Sequence, residues 1–156
     1  MEIKKVEIIA YQPKYAAHFY KLNVEWLEKY FYVEPYEYKI LGDPQSYIID
    51  KGGYIFFAEI NSKIVGTVAL INEKECYELS KMAVSPKYQG LKIGNKLIDY
   101  CIEFSKQQGW KKIMLYSNTT LKPAINLYKK VGFKEVKLEP DVHYDRANIK
   151  MVLRLR

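Results

Sequence analysis

Met82-Ala83-Val84-Ser85-Pro86-Lys87-Tyr88-Gln89-Gly90-Leu91-Lys92-Ile93-Gly94-Asn95-Lys96-Leu97 holds three signals in succession. An apolar run ends at Val84, Pro86 stops it as a strand, and a helical pattern follows. That pattern places Ile93, Leu97, Ile98, Cys101, Ile102 and Phe104 on one face and predicts a helix from about Gly90 to Gln108, closed by Gly109. A helix start leaves several N–H groups without partners and gathers the positive end of the helix dipole. A phosphate fits such a place. Gly90 and Gly94 let an anion approach the backbone, and Lys87, Lys92 and Lys96 add charge. On spacing alone, the run serves equally as an ordinary strand-to-helix turn punctuated by glycine. It has neither the glycine pattern of a dinucleotide fold nor that of a Walker loop.

Outward from this turn the chain switches between the two periodicities of secondary structure. Upstream, Tyr54 to Ile60, Ile64 to Ile71 and Glu75 to Val84 read as strands of an antiparallel meander, with turns at Asn61-Ser62-Lys63 and Asn72-Glu73-Lys74. Gly52-Gly53 breaks the chain before them, and Asp43-Pro44 opens a short helix to about Asp50. Phe31 to Leu41 is aromatic and acidic, with Pro35 inside it, and reads as a loop or broken helix. Before it, Tyr15, Phe19, Leu22, Trp26, Leu27 and Tyr30 recur at helical steps after Pro13, and residues 2–10 read as an opening strand. Downstream come a strand from Lys112 to Ser117, a helix over 120–131 closed by Gly132, and strands from Phe133 to Leu138 and Asn148 to Leu155. This order predicts an α/β fold, one mixed central sheet flanked by helices.

The chain has 156 residues, 49% of them hydrophobic and 28% charged, which suits one globular domain over 1–156. Cys76 and Cys101 stand far apart and read as reduced thiols, and no metal-ligand spacing is present. The start Met1-Glu2-Ile3-Lys4-Lys5 lacks an apolar signal core and no run is long enough to span a membrane, so a cytoplasmic protein without membrane contact is expected. The net charge of +7 admits a nucleic-acid binder or a protein with a phosphate-bearing ligand. The lysines are dispersed among acids and no nucleic-acid motif accompanies them, so nucleic acid is not expected as a partner. Of the 15 tyrosines, several crowd Tyr30 to Tyr38 and read as packing or pocket residues.

The run Tyr88-Gln89-Gly90-Leu91-Lys92-Ile93-Gly94 resembles the pyrophosphate loop of the GNAT superfamily of N-acetyltransferases, written Gln/Arg-x-x-Gly-x-Gly/Ala. Gln89 matches its first position and Gly94 its last, and Lys92 stands where the family prefers its first glycine. Two further segments are similar and in order. Tyr77-Glu78-Leu79-Ser80-Lys81-Met82-Ala83-Val84 looks like the family's fourth strand. Asn118, with Pro123-Ala124-Ile125-Asn126-Leu127-Tyr128-Lys129-Lys130-Val131-Gly132-Phe133, looks like the end of its fifth strand and the helix after it. The stretches Leu22-Asn23 to Pro35 and Gly52-Gly53-Tyr54-Ile55-Phe56 resemble a bacterial subgroup without an assigned acceptor.

The resemblance implies a GNAT-like domain whose fourth and fifth strands splay apart to admit acetyl-CoA. It implies pantetheine contacts at Met82, Ala83 and Val84, pyrophosphate contacts over Gln89, Gly90, Leu91, Lys92, Ile93, Gly94 and Asn95, and further contacts at Asn118 and Asn126. Direct transfer to an amine needs a base and a proton donor near the sulfur. By the family pattern these roles fall to Glu78 and Tyr128. Glu34, Tyr36 and His143 are expected near the acceptor, and His18 at the surface. The acceptor is expected to be a small-molecule amine or a protein amino group, no metal is expected, and dimers are common in the superfamily. A non-catalytic acyl-CoA sensor on the same fold is the competing reading.

Overall fold

Strands covered on both faces organise this molecule. The computed structural model describes residues 5–140, 142 and 146–155. In chain order the elements are β1 (Val6–Ala10), α1 (Ala16–Tyr30), α2 (Pro35–Gly42), β2 (Tyr54–Ile60), β3 (Lys63–Asn72), β4 (Tyr77–Val84), α3 (Ile93–Gln107), β5 (Lys112–Ser117), α4 (Lys122–Lys130), β6 (Lys134–Val136) and β7 (Ile149–Arg154). They build a seven-stranded sheet in the order β1-β2-β3-β4-β5-β7-β6. The run Ile55-Phe56-Phe57-Ala58 in β2 has no polar side because neither of its faces meets water. Ile55 and Phe57 pack with Phe19, Leu27 and Leu41 of α1 and α2, while Phe56 and Ala58 pack with Leu97, Ile98 and Cys101 of α3. The sheet therefore sits between two helical layers.

Three departures from the sequence reading have local causes. The segment taken as a loop or broken helix contains α2. Pro35 occupies its first turn, where a missing N–H does no harm, and Glu34 and Glu37 close a reciprocal capping box at its start. The helix expected from Gly90 begins at Ile93 instead, because Lys92 takes a left-handed conformation, φ 57° and ψ 32°, that no helix continues. The short helix expected after Asp43-Pro44 is a π-type turn over Gln45–Ile49, with the Asp43 carboxylate accepting the Ser46 N–H.

Two irregularities in the central strands shape the site. β4 pairs with β3 at both its ends, Tyr77↔Asn72 and Val84↔Gly66, yet it pairs in parallel with β5 only at Tyr77↔Ile113 and Glu78↔Met114. Beyond that point the two strands diverge. In the same stretch Ala69 faces Ser80 and Thr67 faces Ala83, so three steps of β4 oppose two of β3. That extra residue is a β-bulge, and Lys81 inside it has φ 55°.

Candidate active site

The parting of β4 and β5 opens a cavity of about 950 Å³. Its lining runs from Trp26, Tyr30 and Phe31 of α1, past the bulge, to the loop before α3 and the face of α4 that carries Tyr128. Three physical features mark its two ends.

At one end lies the loop of Gln89, Gly90, Lys92, Ile93, Gly94 and Asn95, all of which line the cavity. Leu91 does not, and its side chain is exposed. A Cβ built on Gly94 comes no nearer than 3.8 Å to any protein atom, the Met82 Cε, so the protein itself does not require glycine there. The space that Gly94 leaves belongs to the cavity. Lys92 adopts the left-handed geometry that a glycine takes without strain, which accounts physically for a glycine preference at this place and leaves Lys92 mildly strained. Open amides at the start of a 15-residue helix, small residues and a lysine suit a pyrophosphate group.

In the middle, Met82, Ala83 and Val84 line the gap where β4 has lost its β5 partner. An unpaired strand edge of this kind presents main-chain N–H and C=O groups to an extended ligand. Across the gap stand Asn118 and Asn126. The Asn118 side chain is committed to the protein: its amide donates to the Arg146 carbonyl at 2.6 Å, and its Oδ1 accepts from the Thr120 N–H and hydroxyl. It therefore builds the turn that launches α4.

At the other end lies Glu78. It is 1% exposed, lines the cavity, and its Oε1 has no hydrogen-bond partner among the described residues. Burial pushes its carboxyl up, to about 8, and the nearby Glu73 carboxyl pushes in the same direction against the opposing charge of Lys81. Lys81 responds the other way: burial pulls its ammonium below the ordinary value while Glu78 and Glu37 support the charge. Tyr128, on α4, is pushed up to about 12 by burial and packs edge-on against Phe133 with ring centroids 5.9 Å apart. Its hydroxyl is therefore a proton-bearing group throughout the neutral range.

The residues expected near the acceptor are arranged differently from one another. Glu34 caps α2 and reaches Arg146 at 3.7 Å, and Tyr36 is partly exposed on α2; neither lines the cavity. His143 lies outside the described residues. His18 is exposed on α1, as expected. Glu37, Lys81, Tyr116 and Arg146 line the cavity and were not foreseen. Two of them had a legible signal. Glu37 stands three residues after Glu34 with a proline between, a capping-box spacing. Lys81 is the one cation in the β4 strand, whose other members are buried or half-buried. Arg146 and Tyr116 had none. Among the described residues no group of His, Cys, Asp or Glu is placed to hold a metal ion, and no helix is long and apolar enough to cross a membrane.

Comparison with known proteins agrees with this geometry. The model of the acetyltransferase (GNAT) family matches residues 14–133. A probable N-acetyltransferase, camello, of Xenopus tropicalis is 33% identical over 98 residues, covering 61% of this chain and 45% of that protein. The chain spans less than half the length of curated relatives that it matches. The crystal structure of a GNAT-family acetyltransferase from Staphylococcus aureus superposes with a TM-score of 0.85 at 26% identity, covering 97% of this chain and all of that one. The PaiA N-acetyltransferase of Thermoplasma acidophilum, solved in complex with coenzyme A, shares the fold with a TM-score of 0.74 at 18% identity, over 96% of this chain and 99% of that one.

Proposed function

The chain belongs to the acetyltransferase (GNAT) family, and on that premise we propose that it transfers an acetyl group from acetyl-CoA directly to an amine. Acetyl-CoA supplies the activated acetyl group as a thioester. The amides and lysine at the start of α3 hold its pyrophosphate, and the free edge of β4 at Met82, Ala83 and Val84 aligns its arm.

One observation carries the reading: a buried, proton-accepting Glu78 and a proton-bearing Tyr128 line the same cavity, on strand and helix either side of the β4–β5 gap. An amine of pKa about 10 is mostly protonated at neutral pH and must lose a proton before it attacks. Glu78, raised toward neutrality, takes that proton directly or through water. The amine nitrogen bonds to the acetyl carbon, the carbon–sulfur bond breaks, and the departing sulfur takes a proton from Tyr128. One further proton passes to solvent, so an ammonium and a thioester become an amide, a thiol and a proton.

Calorimetric titration with acetyl-CoA, followed by thiol release over an amine panel, tests this. Saturable binding with turnover that Glu78→Gln and Tyr128→Phe each reduce is the expected result. Binding without turnover on any amine would instead identify a non-catalytic acyl-CoA-binding module, and absence of binding would remove both readings.

A further inference from the structure

On the acceptor side of the bulge, the acids and bases that line the cavity among the described residues are Glu37, Glu78, Lys81 and Arg146. Glu37 and Arg146 face each other in a two-pronged ion pair at 2.8 and 2.6 Å, so their charges offset. Glu78 and Lys81 are then one acid and one base, three residues apart on β4, lining the same cavity and interacting electrically. Trp26, Tyr30 and Phe31 line the same cavity as an aromatic cluster, with the Trp26 ring 5.2 and 5.9 Å from the other two ring centres and the Arg146 guanidinium 6.0 Å from the Phe31 ring.

Lys81 is also conspicuous energetically. A half-buried lysine gives up part of its hydration, and a non-glycine residue at φ 55° adds backbone strain. Both costs fall at a single position of a strand whose neighbours Leu79 and Ala83 are ordinary core residues. Strain and desolvation concentrated on one cavity-lining group point to use in binding.

We propose that Lys81 selects the acceptor, and that the acceptor is a free α-amino acid with an aromatic or large apolar side chain. This rests on the acetyl-transfer reading above. Such a molecule carries an amine, a carboxylate and a side chain on one carbon, and the cavity offers a counterpart to each. Glu78 faces the amine, Lys81 takes the carboxylate, and Trp26 with Phe31 covers the side chain. An anion arriving beside a half-buried ammonium is favoured, because the pair is less screened there than at the surface. A polyamine would instead bring its second positive charge toward Lys81 and Arg146. An internal peptide lysine would bring no carboxylate. The products are the N-acetyl amino acid, free coenzyme A and one proton, from the bond changes described above.

The test compares L-phenylalanine with phenethylamine, L-phenylalaninamide and spermidine as acceptors, by thiol release and mass detection of the acetylated product. The wild-type protein is expected to prefer phenylalanine over the two carboxylate-free analogues by about tenfold or more in kcat/KM, the worth of one charge-assisted hydrogen bond. Lys81→Met should erase that ratio and Lys81→Arg should largely keep it, with acetyl-CoA titration of each variant reporting that it is folded. Equal or better use of phenethylamine or spermidine by the wild type overturns the proposal while leaving acetyl transfer in place. So does a ratio that Lys81→Met leaves unchanged, or acetyl-CoA binding with no use of phenylalanine. A protein that binds no acetyl-CoA fails at the earlier step, and the two failures are thereby told apart.

Discussion

Arg146 grips both carboxylate oxygens of Glu37, 2.8 and 2.6 Å away, and Glu37 has no exposed surface at all. The two are 109 residues apart in the chain. The Arg146 carbonyl also accepts the Asn118 amide, so one residue ties α2, the segment before β7 and the turn that starts α4. Breaking a buried pair strands the remaining charge. Glu37→Gln and Arg146→Met should each lower unfolding free energy by about 2–3 kcal/mol, somewhat below the figure for a fully buried pair because Arg146 is partly solvated. Denaturant melts measure this, and the double variant should lose less than the sum of the two.

The same pair sets the acid limit of the fold. Burial on its own would raise the Glu37 carboxyl, but the hydrogen bonds and charge of Arg146, with the Glu34 N–H, hold it below its ordinary 4.5. A depressed carboxyl stabilises the fold fully above its unfolded value and ceases to do so as pH falls through the folded one. The Glu37 contribution to melting temperature should be complete down to about pH 5 and be lost below it. Arg146→Met should flatten that decline; an unchanged acid limb would assign it to other carboxylates.

Glu78 has the opposite sign. Its carboxyl is raised to about 8, mainly by burial, so the protonated form favours folding below the unfolded value of 4.5 and that contribution disappears as pH rises toward 8. Transfer needs the ionised form. The rate should therefore climb along a limb with an apparent pKa near 8, and Glu78→Gln should abolish the limb. The same variant should melt higher than the wild type in alkaline buffer, since it removes a buried charge. A rate limb retained in Glu78→Gln would move the base elsewhere.

Tyr128→Phe should cut kcat roughly hundredfold or more, the usual effect of losing a positioned proton donor. Acetyl-CoA affinity should shift by no more than roughly tenfold, one hydrogen bond's worth. Because the hydroxyl is held near 12, no alkaline fall in wild-type rate should come from Tyr128 in the neutral range. Equal losses in binding and rate would make Tyr128 a packing residue.

Gly94→Ala separates the needs of the fold from those of the ligand. The new methyl meets only Met82 Cε at 3.8 Å, so stability should hold or rise by about 0.5 kcal/mol as helix propensity improves. Acetyl-CoA binding should weaken sharply, because the methyl enters the cavity. Gly66→Ala is the contrast: its Cβ would lie 3.1 Å from Ile93 and 3.2 Å from Leu97, crowding the core and lowering the melting temperature. Thermal melts and acetyl-CoA titrations of both variants should give opposite patterns.

The meander, the long helix after Pro86 and the loop at its start are legible in the chain alone. These follow from signals within a few residues of one another: the short apolar run of Tyr54 to Ile60, the three- and four-residue steps from Ile93 to Phe104, the glycines and prolines between them. Resemblance added Glu78 and Tyr128, and the cavity contains both. The acceptor end, by contrast, is set by packing between elements. The bulge that carries Lys81 exists because β4 fits one more residue against β3 than its register needs, which is a relation between two strands. Arg146 reaches Glu37 across most of the chain. The gap between β4 and β5 opens where pairing stops after Glu78 and Met114, and no local pattern marks that point. Periodicity reports which face of an element is buried; it carries no information about which distant charge will stand opposite a given one once the elements pack.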